Sequence, residues 1–268
     1  MASHLLTVPL TMHWVPCSLR VRGALCRRSR RKADLVCAVR GTRAGRVATM
    51  SDNTPERDFT LGRPVLVCRW RLASGKLPME NRHLRALSKR MVNGRTVSAQ
   101  LVAWAKQHIE WTLQDGSALN PDGVLMLVLD DKGQAAMTVG PYTPLESSTA
   151  SALANRALEA SREAEQTGIA PETLWVTRGD SLVCGMDASD GASGAVTLVR
   201  DLASTVGIAV ACEEGIAQEL LAGTLAYDEA FLVSDEHGIV CASDATGPRG
   251  TKLAEGYARL LAAQKKKR

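Results

Sequence analysis

Hydrophobic positions in the middle of the chain follow the periods of strands and helices in turn. A run of apolar and β-branched residues begins at Pro64 and stops at a Ser-Gly turn, which predicts a strand. Leu84, Leu87 and Met91 then recur at i, i+3 and i+7, the spacing of one helix face, and an Asn-Gly pair is expected to close this helix. The elements predicted here are a strand, two helices and a hairpin: Pro64–Leu72, 84–91, Val97–Leu113, and Val124–Leu129 paired with Ala135–Val139.

The C-terminal half of the chain alternates helices with strands. Ala, Glu and Leu dominate from Ala150 to Glu165, and Gly168 follows, which favours a helix with a glycine after its end. The later apolar runs are short and are separated by Gly- and Asp-rich turns, which favours strands. The predicted helices are Ala150–Glu165, about Ala195–Thr205, Gly215–Ala222 and Lys252–Ala263, and the predicted strands are Thr173–Thr177, Ser181–Cys184, Ile208–Cys212, Glu229–Ser234 and one that begins at Ile239.

A Pro-Tyr-Thr-Pro stretch that begins at Pro141 separates these two halves. Proline at both ends makes the stretch rigid and non-helical, which is typical of an interdomain linker. The sequence therefore predicts a two-domain protein of mixed α and β structure. The predicted divisions are a basic leader at 1–49, an N-terminal α/β domain at 60–140, a linker at 141–149, a C-terminal domain at 150–263 and a basic tail at 264–268.

Positive charge is concentrated at the N-terminus. The whole chain has a formal charge of +5, but residues 1–49 hold ten Lys/Arg and one acid, which leaves −4 for the other 219 residues. We call residues 50–268 the body. Its slightly acidic balance disfavours nucleic-acid binding, which depends on clustered Lys and Arg.

The leader at 1–49 does not have the pattern of a secretory signal, because its positive charge follows the apolar stretch instead of preceding it. No membrane span fits either. We hypothesise that the leader is upstream sequence from a misplaced start and that the native chain begins at Met50, where the composition changes abruptly. An organellar targeting segment and a basic nucleic-acid tail are the alternatives.

Cysteine and histidine positions disfavour disulfide and metal chemistry. The seven cysteines are odd in number and include no Cys-x-x-Cys pair, so neither a disulfide framework nor a zinc site is expected. The five histidines are scattered, with no pair at i, i+4 on one helix face. A cytoplasmic location, no metal and no membrane association are the expectations.

The segment from Ser193 to Val240 resembles the phosphate-binding half of class IV (fold-type IV) aminotransferases. Its most specific pieces are Tyr-Asp-Glu-Ala-Phe-Leu from Tyr227 and Gly-Ile-Val from Gly238. Upstream, Arg71 matches the strand arginine of this family, which includes branched-chain and D-amino-acid aminotransferases and aminodeoxychorismate lyase. The resemblance implies a two-domain fold, a small α/β sandwich domain followed by a larger α/β domain.

The resemblance also implies a pyridoxal phosphate (PLP) site between the domains and a homodimer. In the family, a lysine just before the interdomain helix forms a Schiff base with PLP, which makes the cofactor an electron sink. Residues 146–151 occupy that position here without a lysine, and the whole interval 133–251 contains none. Cys184 stands where the family has the glutamate of the pyridine nitrogen. The alternative for Cys184 is a small buried strand residue.

The phosphate cup is the part of this site that the sequence retains. In the family, backbone N–H groups at a helix start bind the phosphate, and the helix dipole favours the anion. A carboxylate beside that cup would repel a phosphate, and an ordinary helix start with a surface arginine is the alternative interpretation. The residues expected at the cup are Arg71, Ser193, Gly194, Ala195, Ser234 and Asp235.

Three functions follow from these patterns, and no residue is assigned a catalytic role. The first interpretation is a catalytically silent homologue that serves as a binding or partner subunit, with a small phosphate or carboxylate compound as its ligand. The second is an active PLP-dependent aminotransferase or lyase that uses a non-standard lysine such as Lys76, Lys132 or Lys252. The third is a different small-molecule enzyme on the same fold, without PLP.

Overall fold

The structure, a computed structural model, describes residues 60–187 and 191–265. Every element below belongs to the compact unit Leu61–Arg268. The predictions for the leader at 1–49, and for the last three residues of the tail, lie outside the described residues. No helix in the described part is long and apolar enough to cross a membrane.

Helices and strands alternate along the described residues. The helices are α1 (Glu80–Ser88), α2 (Ala99–Gly116), α3 (Ala150–Thr167), α4 (Gly194–Thr205), α5 (Ile216–Ala222) and α6 (Pro248–Lys265). The strands are β1 (Pro64–Arg71), β2 (Met91–Val92), β3 (Arg95–Thr96), β4 (Val124–Asp130), β5 (Ala135–Gly140), β6 (Thr173–Arg178), β7 (Ser181–Cys184), β8 (Val210–Cys212), β9 (Glu229–Ser234) and β10 (Gly238–Cys241). The predicted mixed α and β class is confirmed.

The first sheet is antiparallel with strand order β1-β4-β5. Leu66 and Trp70 of β1 and Leu125 of β4 form one hydrophobic core with Leu87 of α1 and Ile109 of α2. The alternation of buried positions along a strand places these side chains on the face that the two helices cover. The predicted strand, helices and hairpin of this half are therefore present.

The predicted helical position of Met91 is wrong. Helix α1 ends at Ser88, and Met91 lies in β2, which forms a short hairpin with β3 and leaves the Met91 side chain 57% exposed. Asn93 and Gly94 both have positive φ, 51° and 72°. This geometry is that of a two-residue hairpin turn, so the Asn-Gly pair joins two strands instead of ending a helix.

The second sheet has strand order β10-β9-β6-β7-β8 and is antiparallel except for the β7–β8 pair. One face packs Val176 and Leu232 against Leu153 of α3 and Ile216 of α5. The opposite face packs side chains such as Phe231 against α4 and α6. The sheet is thus covered by helices on both sides, and residues 141–149, with neither helix nor strand, connect it to the first sheet.

Strand β9 positions the start of α6. The helix begins at Pro248, four residues before the predicted Lys252, because proline fits the first helical position. The Glu229 carboxylate then accepts hydrogen bonds from the amides of Arg249 (3.2 Å) and Gly250 (2.7 Å). A buried glutamate at the start of β9 therefore caps this helix from another element.

Candidate anion site at the start of helix α4

The first three amides of α4 all have acceptors within the chain. Ser193 is the N-cap, and its Oγ accepts a hydrogen bond from the amide of Val196 at 3.2 Å. The amides of Gly194 and Ala195 donate to the two carboxylate oxygens of Asp235, at 3.3 and 2.7 Å. The helix start that the sequence predicts as a phosphate cup therefore already binds an anion, the Asp235 side chain.

A tight turn after β9 holds Asp235 in this position. Ser234 is fully buried, and its Oγ accepts hydrogen bonds from the amides of Glu236 and His237, both at 3.0 Å. The backbone oxygen of Asp235 accepts a hydrogen bond from the amide of Arg71, at the end of β1, at 3.0 Å. The turn thus connects the second sheet to the first, and the Ser234 hydroxyl is occupied within its own turn.

The charge of Asp235 is stabilised where it lies. His83 of α1 is only 2% exposed, and its Nδ1 lies 3.5 Å from the Asp235 carboxylate. Burial raises the pKa of Asp235, but His83 and the amides of Ala195 and Gly194 outweigh it, so this pKa lies below its ordinary value. A carboxylate anion is therefore the stable occupant of the helix start.

Gly194 is required by this packing. A Cβ at Gly194 would lie 2.5 Å from Nδ1 of His83. Helices α1 and α4 are neighbours, and the glycine lets the histidine ring approach the first turn of α4. The glycine therefore serves the contact between two helices, in addition to any role in admitting a ligand.

The Arg71 side chain has a different environment. Its guanidinium carbon lies 3.2 Å from the centre of the Tyr142 ring, a cation–π contact, and its Nη1 is buried without a hydrogen-bond partner. Of the six residues predicted for the cup, five lie together at the helix start and the β9–β10 turn. Arg71 joins them through its backbone amide.

A small cavity adjoins this site. It has a volume of about 30 Å³, and Ser193, Ser234 and Asp235 form part of its wall together with residues of β1 and α1. That volume holds one or two water molecules. No lysine is among the described residues that line it.

The segment that should carry the Schiff-base lysine begins α3. The Thr149 side chain caps this helix by accepting from the amide of Ala152, and the Ala150 amide donates to Asp244 at 2.7 Å. Ala150 is itself buried in the core between α3, α5 and the second sheet. Hydrogen-bonded polar groups and packed apolar side chains therefore occupy the start of α3, and no lysine amine is present there.

Cys184 is a core residue. It is fully buried on the sheet face that packs against α4, beside Val196 and Leu182. Burial raises the pKa of its thiol to about 12, so the thiol is neutral at physiological pH. Arg200 and Thr173 also interact with this thiol, and no carboxylate stands at this position to partner a pyridinium.

A larger groove of about 850 Å³ lies along α3 and α5. Leu158 and Ser161 of α3, Gln218 of α5, and Lys89 and Met186 are among its lining residues. Its volume lies in the range typical of ligand pockets, in contrast to the cavity beside Asp235. Sequence patterns do not indicate this groove, because it forms between elements that are distant along the chain.

Four polar side chains near Asp235 were also missed by the sequence analysis: Tyr142, Glu172, Glu236 and His237. His237 Nδ1 shares a hydrogen bond with the Tyr142 hydroxyl at 3.3 Å, and His237 Nε2 lies 3.8 Å from Glu172 Oε1. Burial lowers the pKa of His237, and the charges of Arg156 and Arg71 add to this, against the opposing effect of Glu172 and Glu236. The net result is a pKa below its ordinary value and a neutral imidazole at pH 7.

Comparisons with known proteins relate this architecture to solved structures. No protein-family model and no curated protein matches the chain. A structure from Legionella pneumophila, described as that of a candidate 4-amino-4-deoxychorismate lyase, is 13% identical, with a TM-score of 0.50 and coverage of 76% of this chain and 97% of that one.

Two further structures show the same type of likeness. A hypothetical aminotransferase from Mycobacterium tuberculosis in its PLP-bound form is 14% identical, with a TM-score of 0.49 and coverage of 75% of this chain and 88% of that one. A fold IV transaminase from Curtobacterium pusillum is 14% identical, with a TM-score of 0.45 and coverage of 75% and 85%. The chain has the class IV aminotransferase-like fold, as its sequence predicts, and at these identities the likeness concerns the fold alone.

Proposed function

We propose that this protein is a catalytically silent relative of the class IV aminotransferases that works as a binding or partner subunit without forming a Schiff base with PLP. The observation that carries this proposal is the Asp235 carboxylate, which accepts the amides of Gly194 and Ala195 at the start of α4. A phosphate needs those donors and would meet a like charge beside them. The helix start is therefore closed to phosphate by the chain itself.

The residues present do not fit PLP. The cavity beside Asp235 holds about 30 Å³, too little for a pyridine ring with its phosphate. No lysine occurs between residues 133 and 251, and Ala150, at the expected position, is buried in the core. These two features support the proposal independently of Asp235, since one concerns volume and the other the absence of an amine.

The 850 Å³ groove along α3 and α5 supports the binding half of the proposal, because it is large enough for a small molecule. Lys89 and Arg90 are the cations of its lining that a carboxylate or phosphate could contact, and Glu165, Asp187 and Glu214 add negative charge to the same lining. A cytoplasmic location and a homodimer complete the proposal. The cysteine pattern supports the first, and the family resemblance supports the second.

Borohydride trapping tests the absence of a Schiff base. We expect the full chain, mixed with one equivalent of PLP, to show no protein-bound aldimine band in the blue-violet before reduction and to keep its intact mass after borohydride treatment. The physical reason is that no lysine is among the described residues lining the cavity at the anion site. A stoichiometric mass increase on a single lysine would overturn the proposal, and peptide mapping would show whether Lys89 of the groove or another lysine is the anchor.

A further inference from the structure

A second polar cluster lies beside the anion site and does not take part in it. We call Glu172, Glu236 and His237 the carboxylate–histidine cluster. One donor atom from each residue can be chosen so that all three lie within 4.8 Å of one another. Glu172 immediately precedes β6, whereas the other two belong to the β9–β10 turn, so 64 residues of sequence separate the parts of the cluster.

One oxygen of this cluster lacks a partner. The Glu172 side chain is 9% exposed, and its Oε1 is bound by the Nε (3.2 Å) and Nη2 (2.5 Å) atoms of Arg156. Its Oε2 is completely buried and has no hydrogen-bond donor. Buried carboxylate oxygens are normally satisfied, because an unpaired one keeps its full desolvation cost. Glu172 Oε2 is therefore a candidate ligand atom for a cation.

The His237 ring is oriented toward the Glu172 carboxylate. The Tyr142 hydroxyl occupies His237 Nδ1, which leaves Nε2 free on the side of Glu172, 3.8 Å from Oε1. Metal-binding histidines commonly have one ring nitrogen fixed by an outer partner while the other coordinates the metal. The His237 side chain is 6% exposed, so this orientation is fixed by packing.

The charged groups around the cluster leave one carboxylate oxygen open. Arg69 pairs with Glu163 through two hydrogen bonds, and its Nη1 lies 3.6 Å from Glu236 Oε2. The three glutamates of this region (Glu163, Glu172 and Glu236) are balanced in charge by three arginines (Arg69, Arg71 and Arg156). The arginines engage particular oxygens and leave Glu172 Oε2 unpaired.

We propose that the carboxylate–histidine cluster binds a divalent first-row transition metal, with zinc as the reference ion. Imidazole nitrogen and carboxylate oxygen are both zinc ligands, and catalytic-type zinc sites have three protein ligands and keep a fourth position for water. The neighbouring cavity, whose wall includes Glu172 and Glu236, has space for that water.

Metal titration of the full chain tests this site. After chelator treatment and dialysis, we expect Zn²⁺ to bind with one equivalent at this cluster and to raise the melting temperature, and Co²⁺ to give weak visible bands. A strong near-ultraviolet thiolate band would instead indicate cysteine ligands. Glu236→Gln and His237→Gln should each weaken Zn²⁺ binding by at least about tenfold.

Glu213→Gln is the matched control, since Glu213 is an exposed glutamate paired with Arg178 away from the cluster. It should bind Zn²⁺ like the wild type. Circular dichroism checks that each variant is folded, and the two variants test the site independently. The proposal is overturned if the wild type binds no Zn²⁺ or Co²⁺ stoichiometrically, or if both variants bind as tightly as the wild type.

Discussion

Strand β9 has a buried carboxylate at each end, and each carboxylate satisfies the start of a helix. Glu229, at the first residue, accepts the amides of Arg249 and Gly250 in α6. Asp235, one residue beyond the last, accepts the amides of Gly194 and Ala195 in α4. The interaction is the same at both ends, a side-chain anion at the positive end of a helix dipole.

The surroundings of the two carboxylates differ. A Cβ at Gly247 would lie 2.2 Å from the Glu229 carboxyl carbon, so backbone encloses this side chain. Asp235 lies instead beside a cavity and next to His83. The Glu229 cap is therefore a fixed part of the fold. The Asp235 cap occupies a position where an external anion could take the place of the carboxylate.

Glu229→Ala should have the largest effect on stability. It leaves two buried amides without acceptors and opens a void, so we expect a loss of about 3 kcal/mol in the free energy of unfolding. Chemical denaturation measures this loss, and added phosphate should not reverse it. The exposed Glu213→Ala is the control and should change stability by no more than about 0.5 kcal/mol. A loss for Glu229→Ala as small as the control's would contradict the capping role.

Asp235→Ala should cost less, about 2 kcal/mol, because water from the adjacent cavity can reach the freed amides. Phosphate should restore part of this stability in Asp235→Ala and none in Glu229→Ala. At phosphate concentrations about tenfold above the dissociation constant, the gain is about 1.4 kcal/mol. Equal phosphate effects in the two variants would show that the Asp235 end is no more an anion site than the Glu229 end.

The sequence predicted one part of this comparison. Local patterns and the family resemblance predict helix α4, strand β9 and a carboxylate at Asp235 that would repel a phosphate. The hydrogen bonds from α4 to Asp235 are not, because they span about 40 residues and depend on how two elements pack. The carboxylate–histidine cluster cannot be predicted from the sequence for the same reason. The predicted helical position of Met91 is wrong because an Asn-Gly pair can either end a helix or form a hairpin turn.

Gly194→Ala tests the packing that surrounds the Asp235 cap. The new Cβ would lie 2.5 Å from His83 Nδ1, and we expect a loss of about 1.5 kcal/mol, since overpacking must displace a buried ring. Adding His83→Ala should reduce the cost of the glycine substitution markedly, because it removes the clashing atom. A double-mutant cycle by urea denaturation measures this coupling. Additive losses would mean that the strain lies elsewhere.

Asp130 is a third carboxylate that accepts hydrogen bonds from backbone amides, two of them in its own turn. Its substitution should have the smallest effect on stability. It is 1% exposed and accepts the amides of Gly62 (2.8 Å), Lys132 (2.9 Å) and Gln134 (2.7 Å). Burial raises its pKa, but these amides outweigh burial, so the pKa lies below its ordinary value.

The stabilising effect of Asp130 is therefore complete above the pKa of the unfolded state, about 3.9, and is lost as the pH falls through the lower folded-state pKa. Asp130→Asn keeps the shape and one acceptor oxygen, so we expect a loss of about 1 kcal/mol at pH 7. The difference between wild type and variant should shrink as the pH falls through the folded-state pKa of Asp130. Urea denaturation across this pH range measures the difference in the free energy of unfolding. A difference that stays constant with pH would show that the acceptor oxygen, and not its charge, provides the stabilisation.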